Sequence, residues 1–467
     1  MKKFLLTIFT LLALTSSSYA AKITITFQVD MRGAKVVDKS TVGIRGGTSP
    51  LSWKKSFPLT DTDNDGIFTG TITFDNAQSN TIEYKYFHDE KWENITGNRS
   101  LTLDEKSATK PVVEAWQVVK SVGFFKFAYK GDTISMAQRM PLGEQVTHGI
   151  SVCVMRNGAV DTSVQWGLRD VEKKLPVTPQ TTFQLGGITQ PLVVFAALRS
   201  HEQGIFDLDK PINNYLKRWK LPAKNGKPDA VTTTRELITG KVSFGDKSKP
   251  DGYKAGKTLP TVVQILMGSE PSQERALKLT DTKYFSFYAA LVLQILLEDT
   301  HQQPLSDIAK RLIFDPLSMT HSFFSIELTP EQQAVASIGY EKNGKPTSDN
   351  YNRYPEQGFS GAWSTTEDYA KFVQHVIKAA RGEDNTLLTQ KMAKAAVEPE
   401  TPTSRPLMFP RGGDGGNYFG GASQGFRTQT QFSVDENWVV VALLNSWENW
   451  RFMLEVLSKS TEVATRK

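Results

Sequence analysis

A serine followed three residues later by a lysine can do acyl-transfer chemistry. That spacing of one helical turn puts both side chains on one helix face, where the amine can take or relay the hydroxyl proton. Two such pairs occur, Ser52-Trp-Lys-Lys55 and Ser107-Ala-Thr-Lys110. Both lie in or at the end of a strand-rich N-terminal region, and a chain with this many serines and lysines produces a few such matches by chance. Trp53, in Gly46-Gly-Thr-Ser-Pro-Leu-Ser-Trp53, and Trp92, in His88-Asp-Glu-Lys-Trp-Glu93, are loop tryptophans among polar residues. A flat aromatic face stacks on the apolar C–H face of a pyranose ring; it can equally lie over a sheet edge. Asp61-Thr-Asp-Asn-Asp65-Gly66 begins like a calcium loop. Its twelfth position, however, is Ile72 where a bidentate glutamate belongs, and the same residues favour a hairpin turn. No metal and no cofactor are expected. Cys153 is the only cysteine. It excludes an internal disulfide, and in Gly149-Ile-Ser-Val-Cys-Val-Met155 it reads as a buried structural thiol.

The elements that must hold these residues divide the chain. Residues 1–20 read as a secretory signal: Lys2 and Lys3, then an apolar stretch from Phe4 to Leu14 too short to span a bilayer, then Ser18 and Ala20 at the cleavage point. The mature chain is expected in a periplasm or outside the cell, without a membrane span. Residues 22–108 alternate apolar and polar side chains in Ile23-Thr-Ile-Thr-Phe-Gln-Val29, Phe68-Thr-Gly-Thr-Ile-Thr-Phe74 and Ile82-Glu-Tyr-Lys-Tyr-Phe87, the pattern of an all-β, immunoglobulin-like sandwich. Residues 109–120 form a linker, and residues 121–467 mix strands and helices. There His148 to Leu168 reads as a hairpin turning at Asn157-Gly158, Pro191 to Gly204 as a helix, Ser364-Thr-Thr-Glu367 as a capping box, and Val439 to Leu444 as a late strand. Trp450 to Ala464 reads as a closing helix. Strands at both ends with helices between imply one sheet completed by both termini. The net charge of +6 is scattered without a run of five basic residues, so nucleic acid is not indicated.

Two resemblances add to this. Val42-Gly43, Leu51-Ser-Trp53, Ile82-Glu-Tyr-Lys85, Trp92-Glu93 and Asn98-Arg99, in that order, resemble the starch-binding domain found at the ends of many amylases. The resemblance implies a sugar platform of Trp53 and Trp92, with Lys85, Glu93 and Asn98 hydrogen-bonding hydroxyls of an α-glucan. Pro176-Val-Thr-Pro-Gln-Thr-Thr-Phe183, Glu202-Gln-Gly-Ile-Phe-Asp-Leu-Asp-Lys-Pro211, Phe314-Asp-Pro-Leu-Ser-Met319 and Ser360-Gly-Ala-Trp-Ser-Thr-Thr-Glu-Asp368 resemble the serine β-lactamase and penicillin-binding hydrolases, closest to the class C and esterase-like branch. That implies an α/β (α+β) domain of antiparallel sheet and helices over residues 121–467.

The chemistry of that family needs a serine, a lysine one turn later, a tyrosine, and a histidine or lysine on an edge strand. In Phe183-Gln-Leu-Gly-Gly-Ile-Thr-Gln-Pro191 the serine position holds Gly187 and the lysine position Gln190. The tyrosine position falls on Phe285, the asparagine that follows it on Phe287, and the edge-strand position on Phe419. Glycine cannot form an acyl-enzyme, and glutamine accepts no proton at neutral pH. Thr189 and Ser423 lie nearby without a basic partner in sequence. Three functions follow: a non-catalytic glucan-binding protein, a serine hydrolase held on polysaccharide by its sandwich, and a sensor of cell-wall fragments or a protein partner.

Overall fold

The structure, a computed structural model, describes residues 22–31, 41–64, 66–75, 81–89, 91–93, 98–103, 108, 111–115, 121–129, 132–139, 148–223, 226, 231–244, 251–272, 279–281, 286–341, 344–401, 404–412, 416–447 and 450–465. The signal segment, most of the linker, Ser107, Lys110, Asp65 and Phe285 lie outside them. The chain divides into two compact units: residues 1–121 with 139–142, and residues 122–138 with 143–467.

In the first unit β1 (Ile23–Asp30), β2 (Val42–Gly46), β3 (Phe57–Pro58), β4 (Ile67–Phe74), β5 (Thr81–His88), β6 (Lys91–Trp92), β7 (Arg99–Thr102) and β8 (Val112–Ala115) build two sheets. One has the order β4-β1-β8; in the other β3-β2-β5-β6 run side by side, with β7 also on β5. Period-two alternation sends Ile25, Phe27 and Val29 of β1 and Ile82, Tyr84 and Tyr86 of β5 into one apolar core. The opposite face of β5 therefore carries Glu83, Lys85 and Phe87. The Asp61 segment is a turn: the Asp61 carboxylate accepts the Gly66 amide at 2.9 Å, and Asn64 and Gly66 take positive φ.

In the second unit β9 (Ser121–Tyr129) and β10 (Asp132–Arg139) form a hairpin. The main sheet has five antiparallel strands built from β11 (Ile150–Arg156), β12 (Ala159–Trp166), β13 (Asn417–Ser423), β14 (Phe426–Ser433) and β15 (Trp438–Leu444), in the order β12-β11-β15-β14-β13. Both chain ends thus complete one sheet. Asn157 and Gly158, both at positive φ, turn the first hairpin as a two-residue loop demands. Val439 to Leu444 is apolar throughout because both faces of β15 are covered. Val439, Val441 and Leu443 meet the helical core, while Val440, Ala442 and Leu444 meet Met453, Val456 and Leu457 of the C-terminal helix.

The helices that matter are α1 (Thr189–Glu202), α2 (Phe287–His301), α3 (Thr366–Arg381) and α4 (Trp450–Thr465). The cap of α3 falls one residue later than the Ser364 box predicts. Thr365 is the N-cap and accepts the Asp368 amide, while the Ser364 hydroxyl is engaged with Ser322 at 2.8 Å. Cys153 is buried, and burial pushes its thiol well up, so it stays protonated and unreactive. Among the described residues no helix is long and apolar enough to cross a membrane.

Candidate functional site

Helix α1 points its first turn at the edge strand β13. A 3₁₀ turn at Gly186–Ile188 leads into it, with Gly186 in the left-handed region at φ 55°. Three hydrogen bonds hold this corner from behind. The Thr428 hydroxyl donates to the Leu185 carbonyl at 2.6 Å, the Leu185 amide to the Ala362 carbonyl at 2.9 Å, and the Tyr369 hydroxyl to the Ile188 carbonyl at 2.8 Å. Burial raises the Tyr369 phenol well above its usual range, so it remains a donor.

At this corner Gly187, Gln190, Phe287 and Phe419 line one cavity of about 660 Å³, with Phe359 beside them. Phe285 lies outside the described residues. Nothing lining the cavity among those residues is a serine, cysteine, lysine, histidine or carboxylate. Its one hydroxyl, that of Thr428, is spent on Leu185. The rings of Phe287 and Phe359 meet edge to face at 4.7 Å, and Phe419 packs against Phe409. Thr189 and Ser423 are fully buried.

Backbone closes on backbone at Gly187. A Cβ added at Gly187 would lie 3.1 Å from both the Gly420 oxygen and the Gly421 Cα. One added at Gly421 would lie 2.6 Å from the Ile188 nitrogen and 2.7 Å from the Gly187 nitrogen, and one at Gly186 2.6 Å from the Ala422 carbonyl carbon. Two glycine pairs, one before α1 and one on β13, let the two segments touch. A serine at position 187 would need β13 to retreat by a few tenths of an ångström.

On the first unit, Trp53 and Trp92 are 37% and 41% exposed and their rings lie 6.0 Å apart at 55°. Trp92 rests edge-on against Phe87, its register partner, at 5.1 Å. Lys85 stands on the same face of β5, two residues before Phe87. Asn98 donates to the exposed Glu83 carboxylate at 3.2 Å. Glu93 departs from its expected role. It is 2% exposed, and its carboxylate accepts from Arg99 at 2.6, 2.9 and 3.1 Å and from the Tyr86 amide at 2.8 Å. A buried carboxylate must be paired, and here Arg99 pairs it inside the core, so no sugar hydroxyl reaches it.

Residues 135–455 match the family model described as Beta-lactamase. The chain belongs to the beta-lactamase family. The Bacillus subtilis (strain 168) protein PbpX, which its name assigns provisionally to the penicillin-binding proteins, is 24% identical over 299 residues, 63% of this chain and 70% of that protein. Protein flp of Staphylococcus aureus (strain N315) is 23% identical over 197 residues, 42% of this chain and 38% of its own length; the chain thus spans well under half of that relative. Among solved structures, FmtA from Staphylococcus aureus aligns with a TM-score of 0.54 at 17% identity, covering 69% of this chain and 86% of that one. The octameric penicillin-binding protein homologue from Pyrococcus abyssi aligns with a TM-score of 0.50 at 19% identity, covering 64% and 70%. These likenesses establish the fold.

In this beta-lactamase-family chain, the resemblance pointed to Gly187, Gln190, Phe285 with Phe287, and Phe419; the structure gathers Gly187, Gln190, Phe287 and Phe419 around one cavity, and Phe285 lies outside the described residues. The sequence reading missed the pressing of Gly421 against Gly187, because a Gly-Gly pair reads only as a flexible segment. On the sandwich it missed Arg45, whose guanidinium lies 3.5 Å from the Phe87 ring centroid and 5.2 Å from that of Trp92. The pairing of β2 with β5 puts Arg45 there, and no local pattern gives that register.

Proposed function

We propose that this chain is a non-catalytic member of the beta-lactamase family that holds an α-glucan on its N-terminal sandwich. The exposed Trp53–Trp92 pair carries this reading. Each ring keeps more than a third of its surface open to solvent, and two tilted faces at this separation suit successive sugar rings of a curved chain. Lys85 and Asn98 supply polar groups beside them. Loss of catalysis is supported by Gly187, which offers no nucleophile, by Gln190, which offers no base, and by a cavity whose described lining holds one charged side chain, Arg427, and no serine, cysteine, lysine, histidine or carboxylate. Export through residues 1–20 would bring the chain to polysaccharide outside the cytoplasm.

Calorimetric titration of the full chain with maltoheptaose tests it. The reading expects saturable binding on the order of 10 µM to 1 mM, lost in a Trp53→Ala/Trp92→Ala double variant. Covalent labelling by a fluorescent penicillin or a fluorophosphonate would overturn the non-catalytic part. The name of the Bacillus relative favours a second reading, in which the aromatic cavity holds a cell-wall fragment without cleaving it. Binding of peptidoglycan fragments with no response to maltoheptaose would select it.

A further inference from the structure

We propose that the tryptophan face of the sandwich prefers an anionic glycan, a sugar chain bearing phosphate esters or carboxylates, over the neutral chain. The inference rests on the sugar-binding reading of that face and names its ligand class.

Arg45 carries it. Its guanidinium carbon lies over the Phe87 ring, 3.5 Å from the centroid, and 5.2 Å from the centroid of Trp92. Its Nε donates to the Ser56 hydroxyl at 2.8 Å. No carboxylate among the described residues pairs with it, and its terminal nitrogens make no other contact there. A guanidinium so held presents a rigid fork of donors beside the two tryptophans. That fork matches the paired oxygens of a phosphate or carboxylate, and stacking has already removed most of its rotamer freedom.

The neighbours add positive charge. Lys85 is the direct register partner of Arg45 across β2 and β5. Like charges directly opposite in an antiparallel pair gain nothing from each other. Lys54 and Lys55, which follow Trp53, and Lys91, which precedes Trp92, are all exposed. Of the acids nearby, Glu83 accepts from Asn98, and Asp89 accepts the Thr41 amide and pairs with His88. Arg45, Lys85, Lys54, Lys55 and Lys91 thus put positive charge on or next to this face, with Glu83 and Asp89 as acids among the described residues nearby. A neutral glucan would use the rings and leave the Arg45 fork without a partner.

The test is calorimetry on the full chain with three probes: maltoheptaose, a 6-phosphorylated maltooligosaccharide, and an oligogalacturonate. At low salt at least one anionic probe should bind roughly tenfold or more tighter than maltoheptaose, since hydrogen bonds to charged groups exceed neutral ones by that order. Which probe gains identifies phosphate or carboxylate as the source. The gain should shrink in 0.5 M NaCl, because these charges are screened. Arg45→Gln should cost the anionic probe roughly tenfold and maltoheptaose far less, removing the gain, while Arg45→Lys, keeping the charge without the fork, should retain part of it. Equal affinity for neutral and anionic probes overturns the proposal and leaves the sugar-binding reading standing. Equal loss of all three probes in Arg45→Gln also overturns it, making Arg45 a prop for the rings. Failure of every probe to bind the wild type overturns both.

Discussion

In the beta-lactamase-like unit, Gly187, Gln190 and Phe419 meet at the cavity, and strand β13 presses onto the turn that leads into α1. On the sandwich, Trp53 and Trp92 stand out into solvent over a stacked arginine. The first region keeps its scaffold because the scaffold is also the core. The Thr428 and Tyr369 hydroxyls satisfy carbonyls at the α1 corner, and α1 itself is buried almost throughout, whatever stands at position 187. The second region leaves more than a third of each tryptophan open to solvent. Where the same atoms hold the interior, a fold does not depend on the chemistry of one position.

The contrast can be broken at the closed corner first. Gly421→Ala places a methyl group 2.5 Å from the Thr428 Oγ1 and against two backbone nitrogens. It should cost more than about 4 kcal/mol in urea denaturation of the larger unit, since neither partner is a flexible side-chain tip. Wild-type stability in this variant would mean that the two segments are not locked together.

Next, Glu93→Gln should cost about 3 kcal/mol in the sandwich transition, because it leaves the Arg99 charge buried beside a neutral amide. A small effect with lost glucan binding would return Glu93 to the ligand.

Acid sharpens the difference between the units. Burial pushes the His148 imidazole down to about 4, against a hydrogen bond with the Gly344 backbone that pulls the other way. The unfolded chain binds that proton from pH 6.5 downward and the folded one only near 4, so stability is full above 6.5 and falls as pH drops through this window. From pH 7 to 5 the larger unit should lose about 2 kcal/mol through this residue. His148→Phe, which keeps a ring against Tyr340, should flatten that part of the pH profile.

The smallest effects belong to single tryptophans. Trp92→Ala and Trp53→Ala should each weaken glucan binding about tenfold, close to 1.4 kcal/mol, with Trp92 the larger because Phe87 backs it. Neither should shift unfolding by more than about 0.5 kcal/mol. A large stability loss would mark them as covers of the sandwich edge.

Much of this was legible beforehand, for particular reasons. Alternation in Ile82 to Phe87 marked a strand of the sandwich, and because a strand has period two the structure puts Tyr84 and Tyr86 in the core and Lys85 and Phe87 on the other face. The resemblance of Phe183 to Pro191 to the family's motif located Gly187 and Gln190, and one helical turn between them puts both on one face. The cap of α3 slipped by one residue, since Ser364 and Thr365 are chemically equivalent candidates and only the contact of Ser364 with Ser322 separates them. Glu93 was misread because a carboxylate beside an exposed tryptophan gives no sign of pointing inward; its burial depends on Arg99 arriving from β7.

The sequence by itself determined which side chains exist to do chemistry: no serine or lysine at the α1 turn, two tryptophans in polar loops, one buried thiol. It also determined the periodicities that sort core from surface, since these depend only on local backbone geometry. Tertiary structure alone decided what lies across from what. The contact of Gly421 with Gly187 joins residues far apart in the chain. The stacking of Arg45 on Phe87 depends on the register of β2 against β5, and the withdrawal of Glu93 depends on its pairing with Arg99. Such contacts are set by how separate strands and helices settle against a shared core, and no pattern along a single segment encodes them.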